Sequence, residues 1–111
     1  MKAFTNLSPA EWKNGIDDDN AIVLDVRTNA EFSDSFIPGA KNLDVGDADF
    51  KSKVIQFDKS KPCYVYCRSG IRSAKAMGMM QEIGFTEVYN LEGGILAWEY
   101  KGFEVDYGED F

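Results

Sequence analysis

Cys67-Arg68-Ser69-Gly70-Ile71-Arg72-Ser73 sets one thiol beside two arginines, two hydroxyls and a glycine, which together can hold an anion against a sulfur nucleophile. Thiol chemistry runs through the thiolate, and both nearby arginines and a helix N-terminus favour that form. An arginine pair bracketing Ser-Gly beside a buried strand end is costly to desolvate unless it has an anion to bind. Cys67 is therefore the candidate nucleophile, and Arg68, Ser69, Gly70, Ile71, Arg72 and Ser73 are the candidate anion cradle. Backbone N–H groups from Arg68 through Ser73 can stabilise charge on sulfur, and Gly70 lets the backbone fold tightly. Ser69 and Ser73 offer hydroxyl donors, although Ser73 could instead cap the helix that follows. The chain has no histidine, which excludes Ser-His-Asp and Cys-His arrangements and most zinc-ligand sets. Any activation of Cys67 is electrostatic.

The elements around this loop follow from local pattern. Pro62-Cys63-Tyr64-Val65-Tyr66 is rich in β-formers and Ser73 to Ile83 has helical spacing, so Cys67 falls where a strand turns into a helix that stops at Gly84. Upstream, Ser8-Pro9-Ala10-Glu11 is a helix start carrying Trp12 onto the core, and the N-terminus is expected to run straight into it. Ala21 to Val26 is an apolar run suited to a strand buried on both faces. Thr28-Asn29-Ala30-Glu31 opens a second helical turn that ends at Ile37-Pro38-Gly39-Ala40, and Lys41 to Val45 alternates as a short strand. Phe50, Val54 and Phe57 recur at helical spacing behind Asp47 or Asp49. Val88 to Leu91 is a further strand, Gly93-Gly94 a tight turn, and Ile95 to Trp98 the start of a last helix ending near Gly102. This alternation predicts an α/β domain with a mostly parallel sheet covered on both faces, where ligands bind at the carboxyl ends of strands.

A chain of 111 residues is expected to form one domain, with its core from about 8 to 102 and an acidic, aromatic tail over 103–111 that has no clear assignment. The net charge of −7 argues against nucleic acid or an anionic membrane as the main partner, and makes Arg68 and Arg72 a local cationic island. No apolar run approaches the ~20 residues of a membrane span, and no export signal is visible, so a cytoplasmic location is expected. Cys63 precedes Cys67 by four residues on one strand, about 13 Å away and beyond disulfide reach. It is expected to be a buried strand residue.

Three separated blocks resemble the rhodanese family of sulfurtransferases. They are Leu24-Asp25-Val26-Arg27 with Glu31-Phe32 and Ile37-Pro38-Gly39-Ala40, then Cys67 to Ser73, then Asn90-Leu91-Glu92-Gly93-Gly94-Ile95 with Trp98. Their order matches over about 8–102, as in a stand-alone, single-domain member. The resemblance implies a five-stranded parallel sheet flanked by helices and a six-residue loop from Cys67 to Arg72. It implies that the Cys67 thiolate takes the outer sulfur of a small anionic donor such as thiosulfate, expels sulfite, and passes the persulfide to cyanide, a small thiol or a protein thiol. No metal or organic cofactor is needed. Asp25, Arg27 and Glu31 are expected to be structural, with an Arg27–Glu31 ion pair holding the first loop. Ser35-Phe36-Ile37 stands where the family often has Gly-His-Ile, a departure that does not touch the nucleophile.

Two rivals differ in what they need from the loop. Cysteine phosphatases and arsenate reductases place five residues between cysteine and arginine, whereas four separate Cys67 from Arg72. A persulfide carrier or a non-catalytic binding module is the other alternative; modules of the latter kind often lack the cysteine that this chain keeps.

Overall fold

The computed structural model describes residues 2–108. The elements in chain order are β1 (Ala3–Leu7), α1 (Pro9–Gly15), β2 (Ile22–Asp25), α2 (Asn29–Asp34), β3 (Ser35–Phe36), β4 (Lys41–Asn42), α3 (Phe50–Val54), β5 (Cys63–Tyr66), α4 (Ile71–Glu82), β6 (Glu87–Leu91), α5 (Gly94–Tyr100) and β7 (Asp106–Tyr107). Five strands form one sheet in the order β1-β6-β5-β2-β4, with every neighbouring pair parallel. The α/β expectation and the five-stranded parallel sheet are both present.

Two local signals work as their residue types require. Ser8 accepts a hydrogen bond from the Glu11 N–H while the Glu11 carboxylate accepts one from the Ser8 N–H, and Thr28 and Glu31 repeat the arrangement at the start of α2. Each box satisfies two of the free amides at the start of α1 or α2 from within four residues.

Side chains alternate across β5 with the period of two that a strand imposes. Cys63 and Val65 join Leu24, Val54, Ala76, Met80 and Val88 in a core between the sheet and helices α3 and α4. Tyr64 and Tyr66 face the opposite side, where they pack with Trp12, Leu91, Ile95 and Trp98 under α1 and α5. Trp12 is fully buried, meets Tyr64, Tyr66 and Trp98 edge-on at 5.6–5.8 Å, and donates its indole N–H to the Tyr89 carbonyl at 3.2 Å. Edge-to-face rings with a satisfied N–H are a low-energy way to bury so large a side chain.

Several expectations need correction. The N-terminus does not run straight into α1: Ala3 to Leu7 pairs with Glu87 to Leu91 as the edge strand β1. Residues 41–45 yield a strand of only two residues, with Leu43 and Val45 held by N–H donation to Asp25 and Val26 carbonyls. Helix α3 ends at Val54, so Phe57 reaches the core from the turn beyond it, and the Asp49 side chain makes no capping bond. The tail, which the sequence left without an assignment, contributes a strand in which Asp106–Tyr107 pairs antiparallel with Ser35–Phe36; residues 109–111 of that tail lie outside the described residues.

Candidate active site

The register aligns Asp25 with Tyr66, so β2 and β5 end together on one edge of the sheet, and β6 runs alongside them to Leu91. Cys67 is the first residue past β5. Strand parity carries its side chain to the same side as Cys63 and Val65, where it is 1% exposed and meets the first turn of α4.

There the chain folds around the sulfur. The Gly70 N–H donates to Cys67 Sγ at 3.1 Å and the fully buried Ser73 hydroxyl donates at 3.3 Å. Burial by itself raises the Cys67 pKa, but the Ser73 hydroxyl and the backbone N–H groups of Ser73, Gly70 and Ser69 outweigh it and hold the thiol below its ordinary value. Ser73 lies inside α4, whose N-cap is Gly70, so its hydroxyl serves the sulfur rather than the cap.

These amides are free to face sulfur because the loop carbonyls are engaged elsewhere. The Cys67 carbonyl accepts from Ile95 N–H at 2.9 Å and the Arg68 carbonyl from Leu96 N–H at 3.2 Å, both in the first turn of α5. The Gly70 carbonyl accepts from Asn90 Nδ2 at 3.1 Å and from Ala74 N–H at 3.3 Å. A loop whose carbonyls are turned away presents a concave row of N–H groups. Two glycines make the packing possible. Gly70 has φ +101°, and Gly94 has φ +64° with so little room that an added Cβ would stand 2.3 Å from the Arg68 carbonyl oxygen and 2.6 Å from that of Cys67. Asn90 and Gly94, both in the third block of resemblance, are positioning residues whose roles the sequence did not show: Gly94 read only as a turn, and nothing near Asn90 shows that its amide crosses to another loop.

The remaining candidates are divided. Arg68 and Ser69 are exposed, and Arg68 makes no ion pair among the described residues. Ser69, Gly70 and Ile71 line a cavity of about 200 Å³ with Asn6, Asn90 and Glu92, and Ile71 is 78% exposed. The expected Arg27–Glu31 pair is absent. Arg27 turns back two residues onto buried Asp25, with 2.7 Å between Nη2 and Oδ2, and also donates to the Ser35 carbonyl. Glu31 instead takes Arg72 in a two-pronged pair of 2.7 and 3.0 Å. Arg72 lowers the Glu31 carboxyl to about 2 against the opposing effect of burial, with further help from Thr28. The first loop is thereby joined to the cysteine loop across 41 residues of sequence.

A profile of the rhodanese-like domain matches residues 8–101. The chain belongs to the rhodanese-like family. A crystal structure of a rhodanese-like domain protein from Staphylococcus aureus superposes with a TM-score of 0.76 at 30% identity, covering 98% of this chain and 100% of that one. Among curated relatives, a protein named tRNA uridine(34) hydroxylase from Cytophaga hutchinsonii is 39% identical over 96% of this chain, which spans 34% of that relative's length. One named sulfurtransferase from Allochromatium vinosum is 34% identical, with 80% of this chain and 81% of the relative covered. In this rhodanese-like chain no described helix is long and apolar enough to cross a membrane.

Proposed function

We propose that the protein is a sulfurtransferase that carries a sulfane sulfur on Cys67. The observation that carries the reading is the sulfur itself, buried at the end of the central strand and surrounded by N–H and O–H donors that favour its anion. The Cys67 thiolate attacks the outer sulfur of thiosulfate, the sulfur–sulfur bond breaks, and its electron pair leaves with sulfite. The persulfide anion left on Cys67 occupies the same ring of donors, which extends to stabilise the charge as it develops. Exposed Arg68 gives an incoming anion its first cationic contact, and Arg72 stands at the far end of the loop. Attack on the outer persulfide sulfur by cyanide, a small thiol or a protein thiol restores the Cys67 thiolate, completing a double displacement. Supporting this reading are family membership and a sulfurtransferase-named relative matched over most of both chains.

The 39% identical relative named tRNA uridine(34) hydroxylase favours a second reading, in which this domain serves chemistry on an RNA base. The net charge of −7 counts against a phosphate backbone as its direct ligand.

Intact-protein mass spectrometry separates the outcomes. After thiosulfate treatment and removal of excess donor, wild type gains about one sulfur atom and loses it to cyanide, whereas Cys67→Ser gains nothing. A wild-type protein that takes up no sulfur from thiosulfate or from a hydropersulfide would overturn the proposal.

A further inference from the structure

The Glu31–Arg72 pair sets a carboxylate against one of the two arginines of the candidate anion cradle. Both Nη atoms of Arg72 are engaged, one with each Glu31 oxygen, at 2.7 and 3.0 Å. This is the bidentate geometry that a donor's oxygens would otherwise use. Glu31 is also fixed from its own side. Its Oε1 accepts from the Thr28 N–H at 3.2 Å and from the Thr28 hydroxyl at 3.1 Å, so swinging away from Arg72 would disturb the cap of α2. With Arg72 neutralised, Arg68 is the only loop arginine without an ion pair among the described residues.

We propose that Glu31 sets the donor preference of the site: by occupying the guanidinium fork of Arg72 it disfavours dianionic thiosulfate relative to hydropersulfides that carry at most one negative charge. This rests on the sulfur-transfer reading of Cys67. A hydropersulfide uses the same bond changes as thiosulfate. The Cys67 thiolate attacks the terminal sulfur, the donor's sulfur–sulfur bond breaks, and the electron pair leaves on the donor thiolate, while any proton on the terminal sulfur stays with it. What changes is the leaving group's charge, and with it the repulsion from Glu31. A dianion on the order of 6 Å from a fixed unit charge in water-like surroundings is disfavoured about tenfold relative to a neutral donor, and a monoanion about threefold.

Glu31→Gln isolates this effect, since glutamine serves the same capping box while removing the charge. The measurement is kcat/KM for thiosulfate and for the hydropersulfide of 2-mercaptoethanol, in wild type and variant, at two ionic strengths. The expected result is a rise of about tenfold for thiosulfate, expressed in KM and diminished by salt. The hydropersulfide should change by no more than about threefold. Equal changes for both donors, or a fall for thiosulfate alone, would overturn the assignment; the latter would mean that Glu31 positions Arg72 to receive the dianion. If neither donor loads wild-type Cys67, the sulfur-transfer reading fails by itself. Calorimetric binding of thiosulfate to Cys67→Ser, with and without Glu31→Gln, then decides the charge competition alone: tighter binding in the double variant supports it and equal binding rejects it.

Discussion

Cys63 and Cys67 share one face of the central strand, four residues apart and almost equally buried, yet their thiols are displaced in opposite directions. Cys63 sits among apolar side chains, and burial pushes it up to about 12. Cys67 is equally shut off from solvent but less deeply packed around, and against the smaller effect of burial the Ser73 hydroxyl and three amides hold it below its ordinary value. Solvent exposure does not separate the two sulfurs. What separates them is packing depth and the place where the backbone leaves the strand: Cys63 lies within β5 among apolar side chains, while past the end of β5 the amides of Ser69, Gly70 and Ser73 turn toward Cys67.

The severest way to break this contrast is to exchange the roles. Cys67→Ser should abolish sulfur loading, while Cys63→Ala should keep it and lower stability by about 1–2 kcal/mol in denaturant titration, the usual cost of a small buried cavity. Loss of loading in both folded variants would show that the two thiols act together. Next in size is Gly94→Ala. Its Cβ collides with the carbonyls of Cys67 and Arg68, so the loop must shift, and the turnover rate should fall on the order of 100-fold. Wild-type turnover in that variant would mean that the α5 contact does not shape the sulfur site.

Ser73→Ala sharpens the comparison. Removing that donor moves the Cys67 pKa toward the behaviour of Cys63, so the alkylation profile shifts to higher pH and labelling at neutral pH slows. An unmoved profile would assign the lowering to the amides alone. The smallest expected effect concerns the pair beside the loop. The Glu31 pKa is depressed from 4.5 to about 2, so its stabilisation is fully present above 4.5 and disappears as pH falls toward 2. The stability gap between wild type and Glu31→Gln should therefore close over that window. It should be less than about 1 kcal/mol at neutral pH because both side chains are partly exposed.

What the sequence disclosed follows the range of the interactions. Ser8 with Glu11 and Thr28 with Glu31 are closed within four residues, and both capping boxes formed where their letters stood. Ser73 and Gly70 lie within six residues of the sulfur they serve. By contrast, Ala3 to Leu7 has no strong alternation of its own and becomes a strand only against residues 84 positions later. The two ion pairs show the same limit. Glu31 stands four residues from Arg27, the spacing of a helical pair, but Asp25 holds Arg27 in a closer grip at the strand end and Arg72 arrives from 41 residues away. Asn90 stood in the third block of resemblance, but its role was hidden for a related reason: it meets a carbonyl 20 residues earlier, and a strand pattern records only which face a side chain takes.

The hold of α5 on the cysteine loop also sets an order of events during synthesis. Residues 67–72 emerge from the ribosome well before Ile95 and Leu96, whose amides keep the loop carbonyls turned away from the sulfur. A nascent chain that has reached only Glu92 carries the complete cysteine motif with neither of those anchors. The cysteine loop therefore reaches its final anchored shape only when the last helix docks, although every group that lowers the Cys67 pKa lies within the loop and the start of α4.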